Sequence, residues 1–171
     1  SSVKAHALEA RQRGADLVCL PECYLQGYDV RPEHAADVAL DLASAAFHRV
    51  LEELEAIEAV IVVGLIERDA GSFYNSAVAI ERGRLVARYR KTHLLPGERS
   101  VFTPGQGSPV FEVAGVKVGI NICYDLCFSE SVGRAAAGGA ELLLCPCSNL
   151  LPRAAAEEWK VPAAEIYVAQ G

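Results

Sequence analysis

The chain has 171 residues, 51% of them hydrophobic, so it is long and apolar enough to bury the core of one domain. Its formal charge of −6, without a block of consecutive basic residues, leaves no electrostatic footprint for nucleic acid or an anionic membrane. No apolar run is long enough to span a membrane, and residues 1–6 lack the apolar core of a signal peptide. We therefore expect a cytoplasmic protein with small-molecule or protein partners.

The six cysteines are too few for a disulfide scaffold, which takes roughly 8–10% of a short chain. They form three close pairs in the sequence: Cys19 and Cys23, Cys123 and Cys127, and Cys145 and Cys147. These pairs differ from the repeated two-residue spacing of zinc ribbons. Reduced thiols and no metal site are the expectation, and a cysteine-based metal-binding or redox module is the weaker alternative.

The first third of the chain alternates helical and strand-like patterns. In order, periodicity predicts a helix over residues 3–13, a strand over 16–20, helices over 32–41 and 44–57, and a strand over 60–66. Both strands are continuous apolar runs, typical of strands buried on both faces. Pro21 ends the first strand, so Glu22 emerges at its C-terminal end.

A hairpin and a long loop follow. Residues 75–81 and 85–90 are strand-like runs joined by Arg82-Gly83. A period of two places four residues of the second run on one apolar face: Leu85, Ala87, Tyr89 and Lys91. Residues 93–107 predict a long loop, and such loops in compact domains are often functional.

Residues 110–113 and 116–123 predict a second hairpin. Alternating apolar residues give its second strand one buried face: Val116, Val118, Ile120 and Ile122. Cys123 is then predicted to end the strand on the opposite face, with Gly119 and Asn121. Small and polar side chains on that face leave room for a substrate.

The last part of the chain continues the alternation. A helix is predicted to begin at Ser129 or Glu130 and to end at Gly138-Gly139, followed by a buried strand over residues 141–145. Weaker patterns indicate a helix over residues 153–160 and a strand over residues 166–169. Apolar strands alternating with helices and hairpins favour a mixed α/β layered fold without a domain boundary.

Four residues each follow the end of a predicted strand: Glu22, Lys91, Cys123 and Asn149. Residues at strand ends converge on one edge of a sheet, where α/β folds keep their ligands. A thiol attacks only as the thiolate, so a catalytic cysteine needs a base or a positive neighbour. Glu22 is the predicted base, and Lys91 is the predicted cation. Lys91 and the backbone N–H of Tyr124 are also predicted to bind the oxyanion that develops during the reaction.

Further candidates are less specific. Glu98, in the long loop, is expected to orient the base or the substrate's amino group, and Tyr28 and Asn149 are expected to line the pocket. His93 suggests a Cys-His couple, but a histidine beside a strand exit is more often structural. Taken singly each signal is weak, because a cysteine ending a strand is usually a packing residue and a loop glutamate is usually solvated.

In combination the signals form ordered motifs. They are Pro21-Glu22 after an apolar strand, Tyr89-Arg90-Lys91-Thr92-His93-Leu94 with Pro96-Gly97-Glu98, and Gly119-Ile120-Asn121-Ile122-Cys123-Tyr124-Asp125 with Phe128-Ser129-Glu130. Two shorter stretches accompany them, Tyr74-Asn75-Ser76-Ala77 and Phe102-Thr103-Pro104-Gly105. On these residues the chain resembles the carbon-nitrogen hydrolases of the nitrilase superfamily from its first helix to its end.

The resemblance implies an α-β-β-α sandwich, with mixed sheets covered by helices, and a Glu-Lys-Cys catalytic set. Glu22 matches the family's general base, Lys91 its catalytic lysine and Cys123 its nucleophile, while Glu98 matches the additional glutamate. The implied reaction passes through a cysteine thioester, releases ammonia and needs no metal or organic cofactor. A homodimer or higher homo-oligomer is expected.

The chain also departs from the family pattern. Ser129 stands where the family usually has proline, and the strand that normally precedes the first helix is absent. Residues 152–167 form a shorter segment than their family counterpart, where an Arg and a Glu-Asn pair are expected around residues 163–166. Residues 1–171 are therefore expected to be one carbon-nitrogen hydrolase domain, incomplete at both ends.

The leading hypothesis is an amidase-type hydrolase acting on a small carboxamide or N-carbamoyl compound, and a nitrilase is the near alternative. A catalytically silent interaction subunit is a different possibility. It is disfavoured because a binding role does not need all four of the matched residues, Glu22, Lys91, Glu98 and Cys123.

Overall fold

The computed structural model describes residues 2–148. Within that range the helices are α1 Ser2–Gln12, α2 Pro32–Val38, α3 Ala45–Leu54 and α4 Ser129–Ala137. The strands are β1 Leu17–Cys19, β2 Val60–Asp69, β3 Ser72–Glu81, β4 Arg84–Arg90, β5 Val110–Val113, β6 Val116–Ile120 and β7 Leu142–Leu144. Two short 3₁₀ helices, Glu98–Ser100 and Cys123–Cys127, complete the described elements.

Local signals explain where the helices begin and end. Pro32 occupies the first turn of α2, where its missing N–H is not needed. Ser44 caps α3 by accepting the backbone N–H of Phe47 at 3.2 Å. Gly138 follows the last residue of α4, which confirms the predicted end of that helix. The predicted helix over residues 32–41 ends earlier, at Val38, because Ala39 has an extended backbone.

The strands form two mixed sheets. The first has the order β1-β2-β3-β4, with β1 parallel to β2 and the other neighbours antiparallel. The second has the order β5-β6-β7, with β5 antiparallel and β7 parallel to β6. Both predicted hairpins, β3-β4 and β5-β6, are confirmed.

Helices α1 and α3 cover one face of the four-stranded sheet. Their buried residues share a cluster with alternate residues of β2 and β3: Val3, Ala7, Phe47, Leu54, Ile61, Val63, Leu65, Val78 and Ile80. Each large aliphatic side chain buried in this way contributes roughly 1.5–3 kcal/mol. The alternation along β2 and β3 sends their other residues to the opposite face of the sheet.

That opposite face packs against the three-stranded sheet. The cluster between the sheets includes Val60, Val62, Ala77, Ala79, Tyr89, Val118, Ile120 and Ile122. Helix α4 covers the outer face of the second sheet, where a side chain at Gly119 would meet the Cβ atoms of Ala140 and Ala135 at 3.1 and 3.2 Å. The order helix, sheet, sheet, helix confirms the α-β-β-α sandwich.

The register corrects one predicted face. Ala79 pairs with Ala87, whereas Ile80 pairs with Leu85, so the pairing shifts between them. Because paired residues lie on the same face, Leu85 lies opposite to Ala87, and it is 40% exposed. The prediction that Leu85 shares the face of Lys91 is wrong, since a bulge breaks the period of two. Ala87 and Tyr89 are buried as predicted.

The prediction for Cys123 is wrong in a similar way. Strand β6 ends at Ile120, and Cys123 begins a 3₁₀ helix with a φ of +45°. Alternation between faces holds only while the chain is extended, so Cys123 packs with the cluster between the sheets rather than on the side of Gly119 and Asn121. Helix α4 covers the Gly119 side, which therefore has no room for a substrate.

Two strands predicted to be buried are partly exposed. In β1, Cys19 is exposed, and in β7, Leu142 is 43% exposed. Within residues 2–148 each of these strands pairs on one side only, at an edge of its sheet. The continuous apolar runs of β1 and β7 therefore identified strands but not their burial, whereas β2 is buried over residues 60–66 as predicted.

Candidate active site

Glu22 reaches the interior because the chain after β1 crosses closely over β2. The crossing occurs at Gly64, where an added Cβ would lie 2.6 Å from the backbone nitrogen of Cys23 and 2.7 Å from the Cα of Glu22. Cβ atoms essentially never approach a backbone so closely, so only glycine permits this path. Glu22 is consequently 3% exposed.

Lys91 is fixed at the exit of β4 by both of its backbone groups. Its N–H donates to the carbonyl of Asn75 at 2.8 Å, and its carbonyl accepts the N–H of Gly105 at 2.8 Å. The loop approaches so closely that a side chain at Gly105 would collide with the Arg90 carbonyl. The side chain of Lys91 is thereby directed into the protein, where the residue is 1% exposed.

The ammonium of Lys91 lies between two buried carboxylates. Its Nζ is 2.8 Å from Glu22 Oε1 and 2.8 Å from Glu98 Oε1, and all three side chains are fully buried. The amide of Asn75 donates to the same two oxygens, at 2.8 and 3.0 Å. The second oxygens accept backbone N–H groups, from Ser148 to Glu22 at 2.9 Å and from Leu95 to Glu98 at 2.8 Å.

These contacts decide the charge state of the lysine. Burial lowers the pKa of Lys91, but the carboxylates of Glu22 and Glu98 outweigh burial and raise that pKa above its ordinary value. Lys91 therefore stays cationic at neutral pH and is a fixed positive charge within the site.

Cys123 lies beside this ion pair. Its thiol interacts electrostatically with Glu22 and Lys91, and a hydrogen bond joins it to the thiol of Cys147. That hydrogen bond, burial and the charge of Glu22 together raise the pKa of Cys123, while Lys91 lowers it. The resting group is thus a thiol, which needs a base at the moment of attack.

A buried aspartate that the sequence reasoning missed connects the two halves of the site. Asp125 accepts the hydroxyl of Tyr89 at 2.8 Å and the N–H of Ile122 at 3.0 Å through one oxygen. Its other oxygen accepts the N–H groups of Thr92 and His93, at 3.2 and 2.8 Å. Asp125 is fully buried, and it joins the chain after Lys91 to the turn that carries Cys123.

The structure places His93 in this aspartate network. Its ring stacks on Phe128 with centroids 3.8 Å apart, while Nδ1 lies 3.1 Å from Asp125 and Nε2 lies 3.0 Å from Glu130. This surrounding fits the structural role that the sequence favoured for His93.

The predicted substrate-binding residues have different outcomes. Tyr28 lies at the site: burial and the carboxylates of Glu98 and Glu22 raise its pKa, and its side chain is hydrogen-bonded to Glu98. Tyr124 is the second residue of the 3₁₀ helix, and its backbone N–H has no acceptor within residues 2–148. Asn149 lies outside the described residues, as do the predicted helix over 153–160 and strand over 166–169.

Asn75 is the second residue that the sequence reasoning missed. It lies in the Tyr74-Asn75-Ser76-Ala77 motif and is 1% exposed. An asparagine within an apolar strand is the signal that could have identified it, since buried amides require partners.

A cavity of about 410 Å³ opens beside the loop after Lys91, lined in part by His93, Arg99, Phe102 and Phe128. Its lining does not include the carboxylates of Glu22 and Glu98. Across residues 2–148 no group of His, Cys, Asp and Glu side chains is arranged to hold a metal ion, and all six cysteines are thiols. In the same range no helix is long and apolar enough to cross a membrane.

Comparison with known proteins identifies the family. The profile of the carbon-nitrogen hydrolases matches residues 1–164. The chain belongs to this family. Among its relatives are an (R)-stereoselective amidase of a Pseudomonas species, 36% identical over 80% of this chain, and a nitrilase of Pyrococcus abyssi, 35% identical over 85%. A human omega-amidase is 34% identical over 81% of the chain. Its membership of the nitrilase superfamily, predicted from the sequence, is confirmed.

Solved structures agree with this assignment. An amidase from a Nesterenkonia species, a member of the nitrilase superfamily, is 28% identical, with a TM-score of 0.79 over 94% of this chain and 63% of its own. The glutamine-dependent NAD+ synthetase of Acinetobacter baumannii, 22% identical with a TM-score of 0.80, shares the fold over 96% of this chain and 32% of its own. The chain spans about half the length of the curated relatives it matches, 50% of the Pseudomonas amidase and 57% of the nitrilase.

Proposed function

We propose that this protein is an amidase-type hydrolase that cleaves the C–N bond of a small carboxamide or N-carbamoyl compound and releases ammonia. The observation that carries the proposal is the buried Lys91–Glu22 ion pair, at 2.8 Å, next to the thiol of Cys123. A nucleophile, a base and a fixed cation are the three groups that acyl transfer through a cysteine requires.

In the acylation step Cys123 is the nucleophile and Glu22 the general base. Glu22 takes the thiol proton as the sulfur attacks the carbonyl carbon of the substrate. The negative charge that develops on the carbonyl oxygen is bound by the ammonium of Lys91 and the N–H of Tyr124. When the C–N bond breaks, Glu22 returns the proton to the leaving nitrogen, and ammonia departs from a thioester.

In the deacylation step water replaces ammonia. Glu22 takes a proton from water, and the hydroxide attacks the thioester carbonyl carbon. The C–S bond then breaks, Glu22 returns the proton to the sulfur of Cys123, and the carboxylic acid leaves. The scheme uses side chains and backbone groups alone.

Glu98 has a supporting role in this scheme. Because it shares Lys91 with Glu22, the lysine stays charged whether Glu22 is ionised or protonated during the cycle. Tyr28, which is hydrogen-bonded to Glu98, extends the polar surface toward the substrate's amino group.

The relatives support an amide rather than another substrate class. Three of those named above are amidases, from Pseudomonas, Nesterenkonia and human. In one structure of a Nesterenkonia amidase variant, the acetamide moiety of fluoroacetamide is covalently added at the active-site cysteine.

Ammonia release tests the proposal. The purified protein should release ammonia from members of a panel of aliphatic amides and N-carbamoyl amino acids. Cys123→Ala should lower turnover by about 10⁴-fold or more, because the nucleophile is lost. Cys127→Ala is the matched control: it removes an exposed thiol from the same 3₁₀ helix and should keep full activity.

Nitriles belong in the same panel. Release of ammonia from nitriles alone would replace the amidase assignment by the nitrilase one. A folded protein that releases no ammonia from any compound would contradict the catalytic proposal as a whole and favour a silent interaction subunit.

A further inference from the structure

Three thiols lie next to one another at the candidate active site. The Sγ atoms of Cys145 and Cys147 are 3.5 Å apart, and the Cys147 thiol is hydrogen-bonded to that of Cys123. All three residues are half-buried, so small solutes can reach the cluster. The hydrolytic scheme uses Cys123 and leaves the other two thiols without a role.

The backbone holds Cys147 beside Cys123. Parallel pairing of β6 with β7 continues past the strands: Asn121 N–H donates to the Leu144 carbonyl at 2.9 Å, and Cys123 N–H donates to the Pro146 carbonyl at 3.1 Å. Cys147 follows Pro146 directly. Adjacent positions of paired chains are about 5 Å apart, which is within the range that a disulfide spans.

The thiol of Cys145 has a different orientation. It approaches the backbone carbonyl of Cys123 at 3.9 Å, and its own carbonyl accepts the thiol of Cys147 at 3.3 Å. Of the two neighbours, Cys147 is the one whose thiol is hydrogen-bonded to the thiol of Cys123.

We propose that Cys147 is a site of oxidative modification: it is a resolving thiol that captures peroxide-oxidised Cys123 as a Cys123–Cys147 disulfide. The proposal rests on the proposed function, because it takes Cys123 to be the reactive nucleophile. The disulfide occupies the sulfur that attacks the substrate, so the enzyme is inactive until the bond is reduced.

The chemistry needs a hydroperoxide as the oxidant. The sulfur of Cys123 attacks one oxygen of hydrogen peroxide, the O–O bond breaks, and the thiol proton leaves through Glu22 to give sulfenic acid and water. The sulfur of Cys147 then attacks the Cys123 sulfur, an S–S bond forms, the S–O bond breaks, and the hydroxyl leaves with the Cys147 proton as a second water.

The capture protects the nucleophile. A sulfenic acid without a neighbouring thiol is oxidised further to sulfinic and sulfonic acids, which reducing agents do not restore. A disulfide stops at the first oxidation level and is reduced by a dithiol.

Peptide mapping after peroxide treatment tests the proposal. The protein is treated with hydrogen peroxide, its remaining thiols are alkylated, and its peptides are analysed by mass spectrometry. We expect a Cys123–Cys147 linked pair, about 2 Da lighter than the two reduced peptides. Activity on an amide should be lost in parallel and should return with dithiothreitol.

Two variants sharpen the result. After peroxide treatment of Cys147→Ser we expect no linked pair and two or three added oxygens on Cys123. The activity of this variant should then not return with dithiothreitol. If Cys147→Ser does not fold, Cys147→Ala provides the same test. Cys145→Ser is the matched control, and it should still form the Cys123–Cys147 pair and recover.

A Cys145–Cys147 pair, added oxygens on Cys123 in the unaltered protein, or no oxidation of Cys123 would each overturn the proposal. The mass readout does not depend on turnover. A protein without amidase activity that still forms the Cys123–Cys147 pair would refute the proposed function and leave the modification site standing.

Discussion

Lys91 is the residue on which the charges of the site depend. A buried ion pair is tolerated only when its geometry is good and its remaining hydrogen-bonding atoms are satisfied. Here each carboxylate accepts the lysine, the amide of Asn75 and one backbone N–H. Removing a single partner of such a set typically costs about 3–5 kcal/mol, so Glu22 and Glu98 contribute to folding as well as to the proposed chemistry.

Gly64 is the residue whose lack of a side chain positions Glu22. Gly64→Ala places a methyl group against the backbone of Glu22 and Cys23, which cannot move aside as a flexible side chain can. We expect a loss of about 1–3 kcal/mol in the free energy of unfolding, as for other overpacked sites. We also expect a decrease of about 10²-fold in kcat/KM, because a shift of about 1 Å misplaces the base.

Gly133→Ala is the matched control for this prediction, because Gly133 lies in α4 and an added Cβ there meets nothing within 4 Å. Urea unfolding and amide hydrolysis of both variants provide the measurements. Unchanged kcat/KM in Gly64→Ala would show that the crossing over β2 does not position Glu22.

The positions of some residues of the site could be predicted from the sequence, and those of others could not. Glu22 and Lys91 follow the ends of apolar strands, a pattern that predicts their position at a sheet edge, and the structure does bring them together. Asn75 and Ser148 both donate to the carboxylate of Glu22 from distant parts of the chain. No periodicity encodes such contacts, since they arise from the packing of two sheets.

Asp125 acts between elements. Its two oxygens accept hydrogen bonds from the hydroxyls of Tyr89 and Thr92 and from the backbone N–H groups of Thr92, His93 and Ile122. The exit of β4, which carries Lys91, is thereby tied to the 3₁₀ helix that carries Cys123. Hydrogen bonds to a charged group contribute about 1.5–3 kcal/mol each when they are buried, so this connection is rigid.

Asp125→Asn tests the connection between these elements. The amide keeps the shape of the carboxylate, but one of its ends is an NH₂ group that faces N–H or O–H donors and cannot accept from them. We expect the free energy of unfolding to fall by about 3 kcal/mol. We also expect kcat to fall by about tenfold or more with a smaller change in KM, since the alignment of the reacting groups is affected more than substrate binding.

Glu130→Gln is the control for Asp125→Asn. The Glu130 side chain is 58% exposed and contacts the same network through His93 Nε2 at 3.0 Å, so its replacement should leave the free energy of unfolding nearly unchanged. Equal effects of the two variants would contradict a connecting role for Asp125.

The elements themselves were largely predictable, because long apolar runs and glycine turns determine strands and hairpins locally. The turn at Cys123 was not. Its positive φ is rare for a residue with a side chain, and it is held by a tertiary hydrogen bond to the Pro146 carbonyl. The strand pattern therefore predicted a Cys123 side chain on the wrong face while still placing the residue at the correct edge of the fold.

At the scale of the whole molecule, the sandwich buries two thiols and a phenol in their protonated forms. Burial, with smaller effects from Glu22 and Glu98, raises the pKa of Cys23. The hydrogen bond to Cys147 and burial raise the pKa of Cys123. Burial and the nearby carboxylates do the same for Tyr28. Each group therefore keeps its proton to a higher pH in the folded protein than in the unfolded chain.

The sign of the resulting pH dependence follows from proton counting. An unfolded thiol ionises near its ordinary pKa of 9.0, while the folded thiol of Cys23 stays protonated at that pH. The stability that these groups contribute is fully present below pH 9 and is lost as the pH rises toward the folded pKa values. The free energy of unfolding should therefore decrease from about pH 9 upward, by up to about 1.4 kcal/mol per pH unit for the buried thiol of Cys23 and by less for Cys123 and Tyr28, whose charges are partly screened by solvent.

Cys23→Ala tests this dependence on one group. The variant loses some packing at every pH, but it has one fewer thiol to ionise in the unfolded chain, so its stability should decline less steeply above pH 9. Val118→Ala is the matched control, because it removes buried apolar volume without a titratable group and should keep the slope of the unaltered protein. Urea unfolding curves at intervals from about pH 8 to 11 give the slopes. Equal slopes for Cys23→Ala and Val118→Ala would mean that ionisation of the Cys23 thiol does not contribute to the pH dependence of the free energy of unfolding.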